Sequence, residues 1–418
     1  MKRVDLVTPP MAGHLHPLLG IAARLADEPG LEVRVISTAA ALAVTESAGL
    51  TGVALLTGAD EVIETVVNPP YRIGSHPRKL LRQFRAAVEL QRDFQAELAA
   101  LWSAEPPDLV LADFTMGAVG PAADAIGVPW WTTHPSPCAI EGRSGPPSYL
   151  GGWRPGRTAL GRARDAVGRR WVRRFKRVAP RLAGVDLTTV GLGPIHRPDG
   201  SEAIYSADRT FALTPASIEY PRDLPNAVRY VGPVLFTPPS TASEPALTPG
   251  HRHVLVTAGT HLPWHKQALL DAAGRAAAEL PADVRVHVSL GGSDGAFTVP
   301  AGVTAHGYVS YERDLARFDA VVHHGGAGVL GHTLASGLPA VVWPVDYDQY
   351  DHAVRLVDAG VAVRVSRADG LADALRRVLD EPSYRSAAER IAATIAAEPA
   401  VEAVAREVRA RLELPGSR

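Results

Sequence analysis

The stretch VVHHGGAGVLGHTLASGLPAVVWPVDYDQYDHA, residues 321–353, joins two short apolar runs through a glycine turn and a helical segment. We expect the first run to be a strand that ends near His323 and the helix to start near Ala327. An isolated glycine turn more often serves only to pack a helix on a strand. Glycines at a helix N-terminus can also let backbone N–H groups approach a phosphate, where the helix dipole favours an anion.

The second apolar run, LPAVVWP, is followed at its carboxyl end by the polar segment VDYDQYD. Open parallel sheets bind ligands at the carboxyl ends of their strands. Two consecutive strand ends therefore present a phosphate-binding turn and then hydroxyl-binding side chains. That order fits a diphosphate that carries a sugar.

The same alternation of apolar strands and helices covers the rest of the chain. Predicted strands include RVDLV, LEVRVIST, DLVLAD and VPWWTT in the first half, and HVLVTAGT, VRVHVSLGG and VAVRV in the second. Nearly continuous apolar strands that alternate with helices indicate parallel sheets covered on both faces. We therefore expect an α/β protein with two Rossmann-like domains, whose parallel sheets face each other across a cleft.

The segment FTPPSTASEPALTPG, residues 236–250, has no apolar periodicity and is the predicted linker. It divides a first domain, residues 1–235, from a second, residues 251–399. An amphipathic helix within residues 400–418 is expected to pack back on the first domain.

Composition sets broad limits on function. The 418 residues are 46% hydrophobic and 21% charged, which is typical of a globular protein, and the formal net charge of −1 gives no electrostatic case for nucleic acid as a partner. A single cysteine excludes an internal disulfide, and no apolar run approaches the roughly 20 residues of a membrane span. Because a strand starts at the N-terminus, we expect no signal peptide and a cytoplasmic enzyme, monomeric or homodimeric.

The segment PPMAGHLHPLLG, residues 9–20, supplies the candidate base. We expect its helix to start at Pro17, so that His14 lies on the loop after the first strand. Asp113 ends the strand DLVLAD at the same edge of the sheet and would orient the imidazole. A histidine with an ordinary pKa of about 6.5 can accept a proton from an acceptor hydroxyl. Taken singly, each residue is more often a loop or capping residue.

The chain resembles the inverting glycosyltransferases of family 1, which have two Rossmann domains (the GT-B fold) and act on natural products. The resemblance rests on the His324–Gly326 turn, the segment TLASGLP, the pair Asp348–Gln349, and a GHxxP motif that contains His14. It implies that His14 is the catalytic base, that Asp113 assists it, and that the first domain binds the acceptor. No cofactor is implied, because the nucleotide diphosphate sugar is a co-substrate.

The resemblance also assigns the donor site to the second domain. The implied donor-binding residues are Thr257, Gly259, Thr260, Val309, His324, Gly325, Gly326, Ala327, Gly328, His332, Asp348 and Gln349. In the first domain, His16 and His134 are candidates for acceptor contact, with a capping or buried role as the alternative for each.

Two departures from the family pattern bear on the donor. Position 332 is histidine where members that use UDP sugars commonly have a glutamate that binds the ribose hydroxyls, and position 352 is histidine where asparagine is frequent. An imidazole has one acceptor where a carboxylate has two oxygens. The doubled HHGGAG resembles members that use deoxythymidine diphosphate sugars, so a dTDP sugar is favoured over a UDP sugar.

Several alternatives stay open from the sequence. The aspartates of DYDQYD could hold Mg²⁺ or Mn²⁺, although members of the resembling family work without metal. A nucleotide-sugar 2-epimerase and a non-catalytic nucleotide-sugar-binding homologue are the rival functions.

The basic segment 157–182 carries Leu160, Ala163, Val167, Trp171, Phe175 and Val178 at helical spacing. It is either a helix packed by this apolar face, with a solvated basic face, or a contact with an anionic membrane surface.

Overall fold

The computed structural model describes residues 1–74, 76–293 and 295–414. The strands of the first sheet are β1 (Lys2–Val7), β2 (Leu31–Thr38), β3 (Thr51–Leu55), β4 (Leu109–Asp113), β5 (Trp130–His134), β6 (Thr210–Ala212) and β7 (Val228–Tyr230). Those of the second are β8 (Arg252–Thr257), β9 (Val284–Ser289), β10 (Val303–His306), β11 (Ala320–His323), β12 (Ala340–Val342) and β13 (Ala362–Arg364).

The helices surround these sheets. They are α1 (Ala12–Ala26), α2 (Ala39–Ser47), α3 (Asp60–Val67), α4 (Pro77–Ala104), α5 (Val119–Ala125), α6 (Ala159–Ala183), α7 (Lys266–Glu279), α8 (Tyr311–Asp314), α9 (Ala327–Ala335), α10 (Gln349–Asp358), α11 (Leu371–Asp380), α12 (Pro382–Ala397) and α13 (Ala400–Leu412). Within the described residues, none of them combines the length and apolarity needed to cross a bilayer.

Both sheets have the strand order of a doubly wound fold. The first runs β3-β2-β1-β4-β5-β6-β7 and the second β10-β9-β8-β11-β12-β13, and the strands in each pair in parallel. The order reverses between β1 and β4 in one sheet and between β8 and β11 in the other. Ligands bind at such switch points, beyond the carboxyl ends of the strands. The predicted α/β fold with two Rossmann-like sheets is confirmed.

Burial explains why these segments are strands. Every residue of β4, LVLAD, is buried, as are four of the six residues of β1. Valine, leucine and isoleucine dominate them because helices cover both faces of each sheet. Leu6 and Leu111 share one core cluster with α1, whereas Val7 and Val110 face α4 in another.

The chain passes between the sheets through residues 236–250, which contain neither helix nor strand. After the second sheet, α13 returns to the first: Val404 and Val408 join the core cluster of α1, and Arg209 pairs with Glu407 at 3.0 Å. The predicted helix at 400–418 extends into residues 415–418, which lie outside the described residues. The domain limits at 235, 250 and 399 stay predictions.

Two local expectations are wrong. Helix α1 begins at Ala12 and not at Pro17, so His14 lies in its first turn and Pro17 lies inside it. Proline has no N–H to donate, and α1 therefore lacks one backbone hydrogen bond near its start. The segment 157–182 does form a helix, α6, but its predicted apolar face does not pack on the protein: Leu160, Val167 and Trp171 are exposed.

Candidate active site

A chamber of about 620 Å³ lies between the carboxyl ends of the two sheets. The predicted site residues that line it are His14, His16, Gly259, Thr260, Val309, His324, Gly326, Ala327, Gly328, His332, Asp348 and Gln349. Asp113, His134, Thr257 and Gly325 are buried and are not part of its lining. The topology therefore brings both halves of the predicted site to one cavity.

On the side of the first sheet, His14 and Asp113 form a pair. Nδ1 of His14 lies 3.1 Å from each oxygen of the Asp113 carboxylate, which also accepts hydrogen bonds from the backbone N–H and the hydroxyl of Thr115. A carboxylate only accepts, so Nδ1 carries the proton and Nε2 is left as an acceptor. Burial lowers the pKa of His14, but the charge and hydrogen bond of Asp113 outweigh it and raise the pKa above 6.5.

Phe114 lies between His14 and His134. Its ring stacks on His14 at 5.4 Å and on His134 at 4.0 Å between centroids. His134 is buried and accepts a hydrogen bond from the backbone N–H of Ser136. It therefore packs against the face of Phe114 and does not line the chamber. His16 lines the chamber, pairs with no carboxylate among the described residues, and has a pKa that burial lowers to about 4.

The glycine turn between β11 and α9 is held from two sides. Gly325 has φ +95°, which favours glycine, and its N–H donates to Nδ1 of His323 at 3.0 Å. Its carbonyl accepts a hydrogen bond of 2.7 Å from Nδ1 of His352 in α10. These two histidines fix the backbone of the turn, a role that the sequence did not reveal.

His324 is the member of the doubled histidine that faces the chamber. Its Nδ1 is buried and has no hydrogen-bond partner among the described residues, and burial lowers its pKa to about 3. Beside it, the first turn of α9 leaves backbone N–H groups of Ala327 and Gly328 without partners in the helix. An anion that entered here would accept hydrogen bonds from these N–H groups.

The described lining of the chamber includes neither lysine nor arginine. An anionic ligand would therefore be stabilised by the N-terminus of α9 and by hydrogen bonds from neutral imidazoles, and not by a cationic side chain of the lining. The loop after β8 adds a further imidazole, that of His261, which the sequence did not indicate. His261 lines the chamber, and its Nδ1 lies 3.1 Å from the hydroxyl of Thr260. The proximity of this loop to the HGG turn follows from the pairing of Thr257 with His323 in the sheet.

Asp348 and Gln349 lie where the loop after β12 enters α10. The side-chain oxygen of Gln349 accepts backbone hydrogen bonds from Val345 and Asp346, both at 2.9 Å. Only its NH₂ group is then available to a ligand in the chamber. Asp348 is half-buried and offers acceptor oxygens, so the pair presents one donor and one acceptor side by side.

Asp346 and Asp351, the aspartates on either side of Asp348, accept hydrogen bonds from the first half of the chain. Asp346 accepts from the backbone N–H groups of Ile73 and Gly74 at 3.3 and 3.2 Å. Asp351 accepts at 2.8 Å from the N–H of Tyr149, whose φ is +63° and which lines the chamber. In the described part of the chain, no three carboxylate, histidine or cysteine groups are arranged to hold a metal ion.

The remaining end of the chamber is bordered by Val309, Tyr311 and His332. The rings of Tyr311 and His332 lie 5.8 Å apart, and the Tyr311 hydroxyl is 2.9 Å from that of Thr257. Burial lowers the pKa of His332 to about 4, although a hydrogen bond with the backbone of Phe236 opposes this. His332 is therefore neutral near pH 7 and has one free acceptor nitrogen.

The chain is similar to known proteins over almost its whole length. Residues 268–411 match the family described as "Erythromycin biosynthesis protein CIII-like, C-terminal domain". A 4'-demethylrebeccamycin synthase of Lentzea aerocolonigenes is 30% identical over 96% of this chain and 97% of its own. An O-mycaminosyltylonolide 6-deoxyallosyltransferase of Streptomyces fradiae is 28% identical over 96% of this chain and 95% of its own.

Solved structures share the fold. The glycosyltransferase of kitacinnamycin superposes with a TM-score of 0.72 at 21% identity and covers 98% of this chain and 99% of its own. Together with the full-length similarity to the rebeccamycin enzyme, this shows that the chain belongs to the GT-B glycosyltransferases of natural-product and antibiotic biosynthesis.

Proposed function

We propose that this glycosyltransferase moves a hexose or deoxyhexose from a nucleotide diphosphate sugar to a small apolar acceptor, with inversion at the anomeric carbon. The observation that carries the proposal is that His14, which is paired with the buried Asp113 at 3.1 Å, lines the same chamber as the His324–Gly328 turn and the Asp348–Gln349 pair. A base, a phosphate site and a hydroxyl-binding pair thus face one cavity from two sheets.

The mechanism is a single displacement. Nε2 of His14 takes the proton of the acceptor hydroxyl, whose oxygen attacks the anomeric carbon from the side opposite the diphosphate. The bond between that carbon and the diphosphate oxygen breaks, and the nucleoside diphosphate leaves with the electron pair. Asp113 stabilises the imidazolium that forms at His14, as the carboxylate of a hydrolase triad does.

The lining on the side of the first sheet supports an apolar acceptor. Side chains from α3, α4 and the strand ends contribute Ile63, Val66, Leu80, Phe84, Leu90, Phe94, Phe114 and Met116. Gln83 and Gln91 are the polar groups of α4 in this wall, and each already binds within the protein, to the carbonyls of Val66 and Thr115. The chamber therefore favours a ligand with a large apolar surface and few polar groups.

The function is tested with the purified chain, a phenolic acceptor, and a panel of dTDP and UDP sugars, with products read by mass spectrometry. We expect a mass gain of one sugar, and an anomeric proton coupling in the NMR spectrum that reports a β linkage from an α-linked glucose donor. A retained α linkage would contradict the single displacement. Sugar release without transfer would favour an epimerase, and nucleotide-sugar binding without any product would favour the non-catalytic homologue.

The pH dependence tests the role of Asp113. Because Asp113 raises the pKa of His14 and the base acts only when neutral, kcat/KM should fall on the acid side with a midpoint above 6.5. Asp113→Asn removes the charge but leaves the burial that lowers the pKa, so the midpoint should move to lower pH while the plateau falls. Steady-state rates across pH measure both. Asp283→Asn, at an exposed ion pair with Arg252, is the control and should leave the profile unchanged; an unmoved midpoint in Asp113→Asn would refute the pairing.

The donor preference is proposed from His332. A crystal structure of a Streptomyces sp. SF2575 glycosyltransferase with thymidine diphosphate shares the fold, with a TM-score of 0.64 at 21% identity over 98% of this chain and 99% of its own. Because His332 offers one acceptor nitrogen, the 2′-hydroxyl of the UDP ribose should add little to the binding free energy. We therefore expect dTDP to bind at least as well as UDP. His332→Glu should shift the preference toward UDP by no more than about 1.5 kcal/mol, since one hydrogen bond is involved.

Calorimetry with dTDP and UDP measures that shift. His251→Glu is the control, because His251 lies by the first strand of the second sheet, outside the chamber lining. A tenfold or greater preference of the wild type for UDP would overturn the donor assignment and leave the transferase chemistry untouched.

A further inference from the structure

Helix α6 presents a row of apolar side chains to solvent. Leu160, Val167, Trp171 and the half-buried Val178 are spaced by seven, four and seven residues, which places them along one side of a helix. Leu160, Val167 and Trp171 are 82%, 63% and 58% exposed, so this side is not part of the core. The helix packs on the protein through another face, which includes Gly168 and Val172.

The largest ring of the row is held in place. Trp171 stacks on Phe175, with centroids 5.8 Å apart and planes 7° from parallel. This contact leaves Trp171 58% exposed. Contiguous exposed apolar surface of this kind is typical of a site that contacts a membrane or another protein.

A second row on α6 is cationic. Arg170, Arg174 and Arg181 are spaced by four and seven residues, beside the apolar row, and none of the three has a carboxylate partner in residues 1–74, 76–293 or 295–414. The inner basic side chains differ, because Arg173 and Lys176 pair with Glu141 and Glu202. Free positive charge is thus concentrated next to the exposed apolar row.

The charge of α6 indicates which kind of partner fits its exposed face. Helix α6 contains eight arginines and one lysine against one aspartate, whereas the whole chain has a formal net charge of −1. Pairing of α6 with α6 of a second copy would bring like charges together, which disfavours a dimer through this face. An apolar strip flanked by free arginines matches the boundary between the headgroups and acyl chains of an anionic bilayer.

We propose that α6 docks on an anionic lipid surface, with Leu160, Val167 and Trp171 inserted at the headgroup boundary and the three free arginines on lipid phosphates. The interaction is peripheral and reversible, since it rests on one strip and a few charges. Docking would leave the acceptor side of the chamber next to the lipid, because α6 packs on α4, where Nε of Arg85 donates to the carbonyl of Ala183. The proposal does not depend on the catalytic roles of His14 and Asp113.

The test is sedimentation of the full chain with vesicles of phosphatidylcholine alone, or with about 30 mol% phosphatidylglycerol. We expect binding to the anionic vesicles only, and its loss at about 0.5 M NaCl, where surface charges are screened. The double variant Arg170→Gln, Arg174→Gln should weaken binding roughly tenfold or more, because each arginine near the surface contributes a factor of about five. Trp171→Ser should weaken it as well.

Matched controls separate this surface from general effects. Arg367→Gln with Arg390→Gln removes two exposed arginines from the side of the second sheet and should leave vesicle binding unchanged. Thermal melting confirms folding of each variant, and transfer to a water-soluble acceptor should continue in Trp171→Ser. Absence of vesicle binding, equal loss in both arginine pairs, or a dimer in solution that Trp171→Ser dissociates would each overturn the proposal.

Discussion

We expect His14→Ala to lower kcat by roughly 10²–10⁴-fold on an alcohol acceptor, the range of general-base catalysis. The variant keeps the chamber but removes the nitrogen that we propose accepts the proton of the acceptor hydroxyl. Donor binding should be nearly unchanged, because the proposed diphosphate site is formed by α9 and the loop after β8, on the other sheet. Steady-state kinetics and calorimetry with dTDP measure the two effects separately.

His16→Ala is the informative comparison for that result. His16 lies two residues further along α1, lines the same chamber and, in the part of the chain that the structure describes, has no carboxylate to orient it. Its loss should raise the acceptor KM more than it lowers kcat. If His14→Ala kept most of the wild-type rate on both a phenol and an alcohol, the base would have to be another group; two acceptors are needed because a phenol is already acidic.

The His14–Asp113 side of the candidate site could be predicted, because strands of a parallel sheet all end at the same edge. Asp113 ends β4 and His14 follows β1, and these strands are neighbours, so their carboxyl ends must meet. The pattern could not show that α1 begins at Ala12, since Pro17 is tolerated inside it at the cost of one hydrogen bond. The imidazole consequently projects from a helix turn and not from a loop.

On the side of the second sheet, the sequence predicted which residues form the candidate site but not their hydrogen-bond partners. The glycine turn and the pair Asp348–Gln349 were evident, but the sequence could not assign partners to the surrounding polar groups. His352 binds the carbonyl of Gly325, and Asp346 binds the backbone of residues 73 and 74, far away in the chain. Such long-range backbone contacts leave no local periodicity.

Helix α6 shows how a hydrophobic pattern can predict the helix and miss its buried face. One reading of the apolar spacing was that Val167 and Trp171 pack inward, but both are exposed, and the buried face of α6 includes Asp165 beside Val172. Its carboxylate accepts from the N–H of Gly156 at 2.7 Å and pairs with Arg164, which satisfies the buried charge. Hydrophobicity alone does not register a buried polar group whose hydrogen bonds are met.

The largest expected effect on donor binding comes from the glycine turn. At Gly325, φ is +95°, and a Cβ atom would lie 3.1 Å from the carbonyl oxygen of Gln349. A Cβ at Gly326 would overlap the ring of His324. Gly325→Val or Gly326→Val must therefore move the backbone N–H groups or the imidazole, and we expect either change to abolish dTDP binding. His324→Ala, which keeps the turn, should weaken binding by about 1–3 kcal/mol.

Strain at a positive φ could also destabilise the whole protein, so a milder pair of variants isolates the local effect. Gly337, just after the other end of α9, has φ +64° and lies outside the chamber lining. Gly325→Ala and Gly337→Ala should each lower the melting temperature, because alanine is disfavoured at both positions. Only Gly325→Ala should lose dTDP affinity in calorimetry. Unchanged affinity in a folded Gly325→Ala or Gly325→Val protein would show that the diphosphate binds elsewhere, because the approach of a phosphate to these amides requires the backbone path that Gly325 allows.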